Sequence, residues 1–170
     1  MAGIIGGRTE SGMPGLDIAE QRSWQSFLDS TLRLSVTMNR TLTEAHQLSL
    51  VDVRLLDMLD KSPTGAARMG DLADGLMSLP SRVTRQIRRL EAAGLVRRTA
   101  SPEDGRGVLA AITDEGREAV RKAMVTYGQA VRAHFLSQLS RSQMVAVGDN
   151  CRRISLALNS PAAPGRYIPD

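Results

Sequence analysis

Cysteine is almost absent: of 170 residues only Cys151 is one. A single thiol excludes an intrachain disulfide framework and leaves a multi-cysteine metal site without ligands. No apolar run approaches the ~18 residues that a membrane-crossing helix needs. The opening MAGIIGGRTESG lacks a basic start followed by a hydrophobic stretch of signal-peptide length, and its glycine at position 3 does not match a myristoylation site. A soluble, cytoplasmic chain with no membrane partner is therefore expected. Histidine is scarce as well: His46 and His134 lie far apart, and no HExxH, GxSxG, GxGxxG or Walker pattern accompanies them. From this inventory no enzyme, cofactor or metal site is expected. Lysine occurs only as Lys61 and Lys122, so nearly all of the basic charge is arginine.

Apolar residues make up 42% of the chain and charged residues 24%, as in a globular domain. The length suits one compact domain or a small domain with long helical attachments. Basic residues number 22 against 18 acidic, a formal net charge of +4. The planar guanidinium fork suits phosphates and base edges, but genome composition alone produces the same bias. The positions of the arginines decide between these readings.

Residues 1–15 and 159–170 are rich in glycine and proline and read as flexible tails. From Leu16 to Leu42 the chain reads as a helix with a wide apolar face that includes Trp24, Phe27, Leu28, Leu32 and Met38. A second helix starts after Ser49, with Asp52 three residues on and Leu50, Val53 and Leu56 behind it. KSPTGAAR is read as a loop, followed by a short helix over residues 70–76 and a tight turn at Met77-Ser78, with Ser78 as N-cap of the next helix. That next helix, Leu79 to Ala93, places Val83, Ile87 and Leu90 on one buried stripe. Ser81, Arg85 and Arg88 point the opposite way, with Arg82 and Arg89 on one flank and Thr84 on the other. Like charges this close cost a few tenths of a kcal/mol per pair, a cost that an anionic partner removes.

Two short helices joined by a tight turn, the second with a basic outer face, form a helix-turn-helix. Gly94 sits where a helix C′ residue belongs; Leu95 to Thr99 and Val108 to Ile112 read as strands around a turn at residues 101–107, which is a wing. Thr113 caps a helix running to about Leu139, and a last helix from about Ser142 to Leu158 carries a seam of Met144, Val147, Cys151, Ile154 and Leu158. The expected fold is mainly α with a small β wing. A winged helix-turn-helix domain at 46–113 is flanked by dimerisation helices at 16–45 and 114–158.

The stretch from Leu72 to Gly116 resembles the core of the MarR family of winged helix-turn-helix regulators. The resemblance rests on the order and spacing of Val83-Thr84-Arg85, Arg89-Leu90-Glu91, Gly94-Leu95-Val96, Asp104-Gly105-Arg106 and Ile112-Thr113-Asp114-Glu115-Gly116. Gly105 stands where many members carry a second wing-tip arginine. The resemblance implies a homodimer with intertwined terminal helices, usually repressive binding to an inverted-repeat operator in double-stranded DNA, and often a small aromatic or phenolic effector.

On the recognition helix, Ser81, Arg82, Thr84 and Arg85 are candidates for reading base edges, Pro80 for an apolar contact, and Arg88 and Arg89 for holding phosphates. On the wing, Arg106 resembles the family's minor-groove arginine with Asp104 orienting it, and of Arg97 and Arg98 at most one faces DNA. Trp24, Leu28, Arg54 and Met58 are candidate lining residues of an effector pocket, although such apolar residues more often belong to a core. Cys151, in the helical seam, is read as a small hydrophobe before a peroxide sensor. The rival to a DNA-binding regulator is a ligand- or protein-binding module on the same fold without DNA affinity, since fold does not fix function.

Overall fold

The computed structural model describes residues 12–100 and 107–159. Helix α1 (Ile18–His46) begins at a capping box: the Asp17 carboxylate accepts from the Glu20 backbone N–H at 2.8 Å, and Glu20 accepts from that of Asp17 at 2.8 Å. It ends at Gln47, whose left-handed φ of 58° turns the chain. Helix α2 (Leu50–Lys61) starts at the expected Ser49 with Asp52, again as a reciprocal box. Strand β1 (Ala66–Arg68) follows, then α3 (Met69–Gly75), α4 (Pro80–Ala92), β2 (Val96–Ala100), β3 (Val108–Ile112) and α5 (Asp114–His134). A single 3-10 turn at Leu136–Gln138 leads to α6 (Arg141–Asn159).

Three local readings are corrected. Ala66–Arg68, read as loop, pairs antiparallel with β3 to give a sheet of order β1-β3-β2. Ala-Ala-Arg has little strand propensity of its own, and β3 supplies the edge that makes it one. The N-cap of α4 is Leu79 rather than Ser78, and no side chain caps it. Proline at N1 fixes the start, since its missing N–H needs no partner there. Helix α5 stops at His134 rather than near Leu139: the Ser137 hydroxyl donates to the Ala133 carbonyl at 2.6 Å, a local bond that competes with the helical ladder.

The core gathers Leu42 from α1, Val53, Leu55, Leu56 and Leu59 from α2, Leu72 from α3, the stripe Val83, Ile87 and Leu90, and Val96, Ile112 and Val120. Helix α4 closes in a Schellman arrangement: Gly94 (φ 75°) donates to the Glu91 carbonyl at 2.9 Å and Leu95 to that of Leu90 at 2.9 Å. That turn aims β2 back along α4. β2 and β3 pair from Val96↔Ile112 to Ala100↔Val108, and Thr113 then locks the hairpin to the helix end by donating its hydroxyl to the Gly94 carbonyl at 2.7 Å. The start of α5 lies so close that a Cβ on Gly116 would collide with the Leu95 carbonyl oxygen. Only glycine fits there.

The first half of α1 and all of α6 lie outside this core. Trp24, Phe27, Leu28, Leu32 and Val36 are exposed on α1, as are Val145, Val147, Ile154, Leu156 and Leu158 on α6, which buries no residue at all. Of the expected seam, Met144 and Cys151 are half-buried and the rest is exposed.

Candidate nucleic-acid interface

The α3–turn–α4 unit with the β2–β3 hairpin is a winged helix-turn-helix, and α4 presents its outer face to solvent. Pro80, Ser81, Arg82, Arg85 and Arg88 are exposed, opposite the buried Val83, Ile87 and Leu90. Arg82 and Arg85 line a shallow concavity of about 300 Å³ with Ser49 and Val51 of α2 and with Ser78 and Gln86. No ion pair engages either guanidinium among the described residues. The half-buried Thr84 donates its hydroxyl to the Pro80 carbonyl at 2.9 Å, so its oxygen faces outward only as an acceptor.

The remaining arginines of this surface are differently placed. Arg89 forms an ion pair with Asp52, a fully buried carboxylate at the start of α2. Asp52 also accepts from the Ser49 N–H at 2.7 Å, the Ser49 hydroxyl at 2.6 Å and the Gln86 amide at 2.6 Å. Every donor it needs is therefore supplied, and two of them come from α4. This clamp fixes the recognition helix against α2. From the sequence Asp52 reads only as a capping partner; the signal for its second role is an acid set between Val51 and Val53.

On the wing, the strand alternation separates Arg97 from Arg98. Arg98 lies on the Val96 side and meets Glu91 of α4, donating from Nε at 2.7 Å and from its backbone N–H at 3.2 Å. Those hydrogen bonds, with the charges of Arg98 and Arg88, hold the Glu91 carboxyl below its ordinary pKa. Arg97 points the other way, exposed and without an ion pair among the described residues. Asp104 and Arg106 lie outside the described residues.

The four candidate pocket residues are divided between two helices, Trp24 and Leu28 on α1 and Arg54 and Met58 on α2. Trp24 and Leu28 are exposed on α1, with Trp24 against Phe27 at a ring separation of 6.1 Å; Arg54 is exposed on α2 and Met58 is half-buried near Gly75. A groove of about 590 Å³ between α1 and α2 is lined by residues including Val36, Asn39, Arg40, Glu44 and Val51. Among the described residues no group of three His, Cys, Asp or Glu is placed to hold a metal ion, and no helix is long and apolar enough to cross a membrane.

Residues 48–108 match the family model described as MarR family. The fold is shared with Sco3205, a MarR family transcriptional regulator from Streptomyces coelicolor solved in complex with DNA: 32% identity, TM-score 0.82, covering 86% of this chain and 95% of that one. It is shared equally with AbsC, a MarR family transcriptional regulator from the same organism, at 30% identity and TM-score 0.80, covering 86% of this chain and 98% of that one. A more distant likeness, 22% identical with TM-score 0.72 over 82% of this chain and 96% of the other, is to BpsR of Bordetella bronchiseptica, whose DNA binding is regulated by 6-hydroxynicotinic acid. No curated protein matches the chain. A recognition helix carrying arginines, a wing locked to its end and two relatives similar over nearly their whole length lead to one conclusion: the chain belongs to the MarR family of transcriptional regulators, with its winged-helix DNA-binding fold.

Proposed function

We propose that this chain is a cytoplasmic homodimer that binds an inverted-repeat operator in double-stranded DNA and represses transcription until a small aromatic or phenolic effector releases it. The observation that carries the reading is a contrast between arginines. Arg89 and Arg98 are neutralised by Asp52 and Glu91, whereas Arg82 and Arg85 stand exposed on the outer face of α4, without an ion pair among the described residues. Unpaired guanidinium groups on one face of a helix that fits the major groove match the acceptor pattern of guanine O6 and N7.

In this reading Ser81, Arg82, Thr84 and Arg85 read bases and Pro80 gives an apolar contact. Arg88 holds a phosphate, with Arg89 contributing there to the extent that Asp52 leaves its second donor edge free. Arg97 and Arg106, the latter oriented by Asp104, serve the wing. The exposed apolar faces of α1 and α6 supply the dimer contact, because surfaces of that kind need a covering partner. Effector binding beside Trp24, Leu28, Arg54 and Met58 would change the spacing of the two recognition helices, since allostery requires two global states of different DNA affinity.

The test is affinity against salt. Binding of the purified protein to duplex DNA should weaken linearly in log K against log salt, with a slope of about −0.9 per phosphate contacted. Arg82→Ala and Arg85→Ala should each weaken binding. A salt-independent or undetectable interaction in low salt would favour the ligand- or protein-binding module instead.

A further inference from the structure

The turn that feeds α4 exposes two large apolar side chains at the edge of the arginine face. Met77 is 81% exposed and Leu79 63%. Met77 holds a left-handed φ of 50°, a conformation that side chains rarely adopt and that glycine would adopt more easily. Leu79 stands at the N-cap, where serine, threonine or asparagine would supply a capping oxygen, and no side chain caps the helix. Four residues before Val83, it continues the buried stripe by periodicity, yet the core does not cover it. Backbone comfort, capping and burial all argue against these two residues at these two positions. They share a concavity of about 470 Å³ with Arg82, Ser78, Asp74 and Ala73, so the apolar pair and the exposed Arg82 form one continuous surface.

Resting on the DNA-binding reading above, we propose that Leu79, with Met77 beside it, is a specificity residue that packs on thymine 5-methyl groups in the major groove. The first turn of a recognition helix enters that groove with its N-terminal residues against base edges. The thymine methyl is the one apolar group displayed there, and an aliphatic side chain desolvates it where no hydrogen bond can read it. Arg82, on the same concavity, keeps the duplex close enough for the contact.

The experiment uses the full-length protein and the site it selects from random-sequence duplex DNA. Each thymine of that site is replaced in turn by deoxyuridine, which removes only the methyl group. One or two thymines per half-site should weaken wild-type binding three- to tenfold when replaced. The same replacements should leave Leu79→Ala and Leu79→Ser unaffected, and 5-methylcytosine paired with guanine at those positions should recover part of the loss. Leu79→Ser restores a capping oxygen, so a loss of affinity in that variant is not a folding failure. If deoxyuridine is tolerated at every position, or penalises the Leu79 variants as much as wild type, the methyl contact is overturned while DNA binding stands. If no site is selected at all, both readings fall.

Discussion

Asp52→Ala removes the acceptor at the centre of the clamp between α2 and α4, and its cost can be worked from the bonds it breaks. The reciprocal box with Ser49 is a helix cap, worth ~1 kcal/mol. The Gln86 amide loses an acceptor in a part-buried site, about 1 kcal/mol. Arg89 is half-exposed, so its charge returns to water and the ion pair contributes only ~0.5–1 kcal/mol. Together these predict a loss of about 2–3 kcal/mol, a fall in melting temperature of roughly 5–10 °C for a chain of this size. Urea unfolding at one fixed protomer concentration measures it, the midpoint moving while the slope stays constant. Arg89→Ala should cost less than Asp52→Ala, and a double-mutant cycle between them should return the half-exposed pair as the smaller part of the total. DNA affinity should fall by more than the Arg89→Ala variant alone explains, because Gln86 and Arg89 both position α4. An Asp52→Ala protein within ~0.5 kcal/mol of wild type would refute the claim that this carboxylate sets the recognition helix.

Other outcomes follow from the same geometry. Arg85→Ala should cost on the order of 1–3 kcal/mol at the selected site and much less on random DNA, whereas Arg88→Ala should weaken both alike and flatten the salt slope by about one unit. Gly116→Ala drives a methyl group into the Leu95 carbonyl and should destabilise by about 1–3 kcal/mol, detectable as a lowered urea midpoint. The Glu91 carboxyl has a lowered folded-state pKa, so its contact with Arg98 contributes fully above the ordinary carboxylate value and is lost as pH falls through the depressed one. The Arg98 Nε–H resonance should therefore hold its position below the pH at which exposed carboxylates protonate; a shift coincident with theirs would contradict the pairing.

The element order was legible because it rests on local signals. Ser49 with Asp52, Gly94 at a helix end and Thr113 before two acids each satisfy backbone groups within a few residues, Pro80 lacks the N–H that a helix start leaves without a partner, and each stands where its chemistry indicates. What escaped reading depends on partners distant in sequence. β1 exists because β3, more than forty positions later, offers Ala111, Ala110 and Leu109 as its register partners. The second role of Asp52 needs Gln86 and Arg89, and the sorting of arginines into paired and unpaired needs the fold that brings Glu91 to Arg98. The stripe that periodicity indicates, Val83, Ile87 and Leu90, is buried, but no local signal marks that Leu79, four residues before Val83, stands exposed at the N-cap.

The most direct measurement is the symmetry of the DNA that the protein selects. Sequencing duplexes retained by wild-type protein from a random-sequence pool should yield an inverted repeat with half-sites about one helical turn apart, bound by two protomers. An unenriched pool, or a single asymmetric site occupied by one protomer, would contradict the account of a symmetric pair presenting Arg82 and Arg85 to the duplex.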